Sequence, residues 1–74
     1  MRLSMLLGRI ALSDRHLAEA EERISQQRLR VASSTGVENA RALSVLNKYL
    51  GNLEQLQIYR SILDEDLRLC RAGA

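Results

Sequence analysis

An apolar residue recurs every seven positions through the first half of the chain: Leu3, Ile10, Leu17, Ile24 and Val31. That spacing brings side chains back to one side of an α-helix every two turns, so these five define a narrow seam and occupy the a positions of a heptad. The d positions between them, Leu6, Ser13, Ala20 and Gln27, are small or polar after the first. The segment SDRHLAEAEERISQQRLRV, Ser13 to Val31, is densely charged and holds no Gly or Pro. A helix of this kind is built to bury only its seam. Ser13 followed by Asp14 has the form of an N-cap that would restart a helix. Leu3, Ile10 and Leu17 nevertheless keep one phase across that point, so one helix over about residues 2–33 is expected.

The one cluster of turn residues is Ser33-Ser34-Thr35-Gly36, followed by Val37-Glu38-Asn39. Gly36 is suited to the left-handed conformation that ends a helix, and Thr35 with Glu38 has capping-box spacing for the next. The turn is placed at about 34–38 and a second helix at about 39–71. A connection this short makes its two helices antiparallel neighbours.

Beyond the turn, Ala42, Leu46, Tyr49, Leu53, Leu56, Arg60, Leu63, Leu67 and Cys70 alternate spacings of four and three, which makes a second seam with Arg60 as its one charged member. Gly51 lies inside this helix and weakens it by roughly 1 kcal/mol relative to Ala. Folding the chain back near Gly36 sets Leu3 level with Cys70, Leu6 with Leu67, Ile10 with Leu63 and Ser13 with Arg60. The remaining layers are Leu17 with Leu56, Ala20 with Leu53, Ile24 with Tyr49, Gln27 with Leu46 and Val31 with Ala42. Small or polar groups on one helix thus face large ones on the other. Charges near the seam follow the same register: Arg9 comes level with Asp64 and Asp66, and Asp14 comes within reach of Arg60. Arg60 opposite Ser13 either fixes the register as a polar layer or runs its alkyl stem along the seam to water.

The expected fold is therefore all-α, a single two-helix antiparallel hairpin domain over residues 1–74. The absence of Pro, Phe and Trp agrees with long helices. A chain of 74 residues buries too little apolar surface to be secure alone, and Cys70, the lone cysteine, allows no disulfide within it. A net charge of +2 argues against a dedicated polyanion binder. The start MRLSMLLGRIAL is interrupted by Arg9, and no apolar stretch is long enough to span a bilayer, so the cytoplasm is the expected location. No catalytic residue, cofactor or metal is expected. His16 is the sole histidine, consecutive Asp64-Glu65-Asp66 point to different sides of a helix, and no Gly-rich phosphate loop is present.

The surplus of large apolar residues carries the functional expectation. Met5, Leu12, Ile62 and Leu69 fall at c positions that the hairpin gathers on one flank near its open end, and Ile58 and Tyr59 extend the patch. Leu7, Leu43 and Leu50 lie on the opposite flank. Such surplus marks a partner interface, and the simplest symmetric occupant is a second copy, giving a dimeric four-helix bundle. A different partner protein is the alternative occupant. The expected function is that of a small interaction or assembly module. Two other readings stand beside it: a weak nucleic-acid binder using the stripe Arg9, Arg23 and Arg30, and an accessory subunit that folds within a larger complex. Arg9, His16, Arg23 and Arg30 recur every seven residues at g positions, where coiled helices usually carry charge.

The segment Ala11 to Val31 resembles a group of small uncharacterised bacterial helical-hairpin proteins, through Arg15-His16, Ala18, Glu21, Ile24 and Gln27. The second helix is similar to theirs in Ala40, Arg41 and Leu43 and in Leu56, Arg60 and Leu63. The group's Phe and Leu-His pair in that helix have no counterpart here, where Tyr49 and Tyr59 stand nearby. The resemblance implies a helical hairpin and no activity.

Overall fold

A computed structural model describes residues 2–73; Met1 and Ala74, the ends of the expected 1–74 domain, lie outside the described residues. Two helices, α1 (Leu3–Ser33) and α2 (Gly36–Ala72), fold back on one another as an antiparallel hairpin. The helix α1 runs through Ser13 and Asp14 without a break. The hairpin is a rod of 57 × 14 × 13 Å. That length matches the roughly 55 Å expected of the 37-residue α2 at 1.5 Å per residue.

Both heptad seams face inward. Leu6, Ile10, Ser13, Ala20, Ile24 and Gln27 of α1 are buried, and Leu17 and Val31 are half-buried. On α2, Leu63 is buried and the other eight seam residues are half-buried. The small groups Ser13 and Ala20 of α1 are buried opposite Arg60 and Leu53 of α2, which stay half-buried at the edge of a seam only two helices wide. Near the open end, Leu6, Ile10 and Leu63 form the tightest cluster, flanked by Leu67 and Cys70, in agreement with the Leu6–Leu67 and Ile10–Leu63 layers. Leu3 departs from the expected seam and is 43% exposed, because it begins α1 and no further turn lies beyond it.

The reversal differs in detail from its sequence reading. The helix α2 starts at Gly36 rather than at residue 39, which leaves Ser34 and Thr35 as two extended connecting residues. Gly36 has φ +60°, the left-handed conformation expected of it, although it opens α2 instead of closing α1. The Thr35–Glu38 capping box is absent, since the Thr35 side chain caps nothing. The turn's side chains serve the end of α1 instead. The Asn39 amide donates to the carbonyl oxygens of Val31 (2.9 Å) and Ser34 (3.3 Å), and the Ser34 hydroxyl donates to that of Val31 at 3.2 Å. These bonds satisfy carbonyls that a helix end leaves without partners. The Gln27 amide donates to the backbone oxygen of Ala42 at 2.9 Å, one turn from the Leu46 that the register sets opposite it.

Two glycines give opposite expectations. A Cβ at either Gly36 or Gly51 would meet nothing within 4 Å, so backbone preference alone decides the effect. Gly36→Ala forces an L-residue into positive φ and should destabilise by about 1 kcal/mol. Gly51→Ala replaces a helix-interior glycine and should stabilise by about the same amount. Thermal melts of the two variants should move in opposite directions.

Candidate interaction surface

The hairpin register places the c positions of both helices on one flank near the open end. There Met5 and Leu12 of α1, with Ile62 and Leu69 of α2, stay about half exposed, at 54, 49, 53 and 54%. Ile58 and Tyr59 are exposed beside them. Leu7, Leu43 and Leu50, on the other flank, are also exposed. Leu29 and Val37 are further exposed apolar residues that the heptad frame did not single out; neither belongs to the seam or to either flank patch. A shallow groove at the open end, lined by Leu6, Asp66, Leu69 and Cys70, joins the patch to the seam.

The molecule exposes more surface than a compact chain of its mass. A compact monomer of 8.4 kDa is expected to expose about 4,600 Å², and this chain exposes 5550 Å². The excess, roughly 900 Å², follows from the elongated shape of a rod only two helices wide.

A polar layer crosses the middle of the open half. The Arg60 guanidinium donates to Asp14 Oδ1 at 2.6 Å and to Asp64 Oδ1. The Arg60 side chain is only 24% exposed. The hydrogen bond to Asp14 raises its pKa, against an opposing loss of hydration, so this group stays charged at every working pH. The head is held at the edge of the seam by carboxylates from both helices, Asp14 of α1 and Asp64 of α2. On its outer side, Arg68 donates to both oxygens of Glu65, at 3.0 and 2.5 Å, and lowers that carboxyl's pKa.

Ser13 in the same layer has a cost. Its hydroxyl is buried and has no hydrogen-bond partner. Ser13→Ala removes an unpaired polar group and adds helix propensity, so the variant should be more stable by about 1–2 kcal/mol in urea titrations.

The basic stripe is solvent-facing. Arg9, Arg23 and Arg30 are all exposed. Arg23 shares a groove with His16, Glu19 and Asn52, and Arg30 shares another with Glu38 and Arg41. The pairing expected between Arg9 and Asp64 or Asp66 is not formed: Asp64 is taken by Arg60, one helical turn away on its own helix. Among the described residues, neither Arg9 nor the half-buried Asp66 has an ion-pair partner within 4 Å. No group of three or more His, Cys, Asp or Glu is gathered that could hold a metal ion, and no helix is long and apolar enough to cross a membrane, again among the described residues.

These elements define a class: a two-helix antiparallel hairpin with a cluster of exposed apolar side chains on one flank near its open end. Comparison with protein-family models, curated proteins and solved structures finds no match for the chain.

Proposed function

We propose that this protein is a small helical interaction module that works by self-association, and that it has no catalytic activity of its own. Its product is a surface, used to assemble two hairpins into a four-helix bundle. The observation that carries the reading is the open-end flank, where Met5, Leu12, Ile62 and Leu69 leave apolar side chains half in water beyond a seam that is already filled. A lone hairpin gains nothing from those residues, whereas a second layer of helices would cover them. Sedimentation equilibrium over a concentration series tests it. The expected result is a reversible rise from the mass of one chain to that of two. A folded protein that keeps the mass of one chain throughout would overturn the reading.

A further inference from the structure

The self-association just proposed leaves open how the two copies are oriented, and charge on the same flank decides it. Arg9 and Asp66 both occupy g positions, next to the seam on the side where the apolar patch lies. They stand at nearly the same level of the rod, between the level of Met5 and Leu69 and that of Leu12 and Ile62. Asp66 is half-buried in the open-end groove beside Leu69, and neither charge has an ion-pair partner among the described residues. An interface that buries this carboxylate must supply it with a counter-ion.

Two symmetric arrangements bury the patch. With the copies tail to tail, and the two-fold axis across the rod at this level, α1 lies over α1 and Arg9 meets its own equivalent, as does Asp66. With the copies side by side, open ends together and the axis along the rod, α1 of each lies over α2 of the other. Arg9 then falls opposite Asp66 of the second copy, twice by symmetry. Leu12 likewise falls opposite Ile62, and Met5 opposite Leu69. The first arrangement opposes like charges under apolar cover, and the second pairs opposite ones.

We infer that the open-end flank binds a second copy of this chain side by side, with Arg9 of each protomer paired to Asp66 of the other. All neighbouring helices in the resulting bundle are antiparallel.

The test uses reversed charges in separate chains. Arg9→Glu and Asp66→Arg are prepared individually, checked for helix content by circular dichroism, and their association constants are measured alone and in equimolar mixture. Each variant alone sets like charges against each other across the interface and should associate at least about 10-fold more weakly than the parent. In the mixture, the carboxylate introduced by Arg9→Glu meets the guanidinium introduced by Asp66→Arg. The unaltered Arg9 of the second variant meets the unaltered Asp66 of the first, so heterodimers should form with near-parental affinity. A pair confined to one chain cannot be restored by mixing, because each variant keeps its own like-charged pair. Single variants that dimerise as the parent does, or a mixture no stronger than its components, would overturn the side-by-side pairing while leaving self-association intact. A parent that never dimerises would overturn both and transfer the flank to a different protein.

Discussion

Leu63→Ala is expected to unfold a large fraction of the protein under mild conditions. Leu63 is 2% exposed and packs with Leu6 and Ile10 in the tightest cluster of the hairpin. Truncating a leucine in such a site costs about 2–5 kcal/mol, the lost transfer energy plus the cavity left behind. A 74-residue chain has a total stability of about 4–11 kcal/mol. The loss is thus a major share of what holds the helices together. Leu3→Ala is the control. Leu3 has the same place in the heptad pattern as Ile10 but is 43% exposed, so its truncation should cost about 1 kcal/mol or less. Chemical denaturation of the two variants would show the contrast; equal losses would mean that the seam does not bury its layers as described.

The second large effect concerns association and not folding. Leu12→Glu combined with Ile62→Glu places carboxylates in the centre of the proposed interface. Each side chain is about half exposed in the single hairpin, so the fold itself should tolerate both changes. In a two-fold dimer each substitution occurs twice. Four apolar side chains, each worth about 1.5–3 kcal/mol on full burial, are replaced by charges with no partner across the interface. Association should weaken by at least about a thousand-fold. Unchanged helix content together with a mass fixed at one chain is the expected signature. A double variant that associates like the parent would remove the open-end flank from the interface.

Much of this architecture is legible in the sequence, because period reports packing. Ile10, Leu17 and Ile24 recur at seven residues whatever lies opposite them, and the one cluster of turn residues fixes where the chain reverses. Ser13 as a buried small residue opposite Arg60 is readable for the same reason, as is the reach of Asp14 to Arg60. What is not legible depends on side-chain rotamers and on local backbone geometry. Thr35 and Glu38 carry capping-box spacing, yet the geometry of the two-residue turn lets Asn39 satisfy the end of α1 instead. The Gln27 amide could bond any carbonyl within its reach, and spacing does not distinguish Ala42 from its neighbours. The register sets Arg9 level with both Asp64 and Asp66, but Arg60, on the same helix as Asp64, reaches that carboxylate first. The flank is readable as positions; which surface covers it is not written in any one chain's periodicity.

The most direct measurement is an isotope-filtered NMR experiment on a mixture of labelled and unlabelled protein, which detects only contacts between chains. The account predicts inter-chain contacts from the methyl groups of Met5 and Leu12 to those of Ile62 and Leu69, while Ile10 and Leu63 remain in contact within one chain. A sample in which all methyl contacts arise within single chains, at concentrations where the protein is folded, would contradict it.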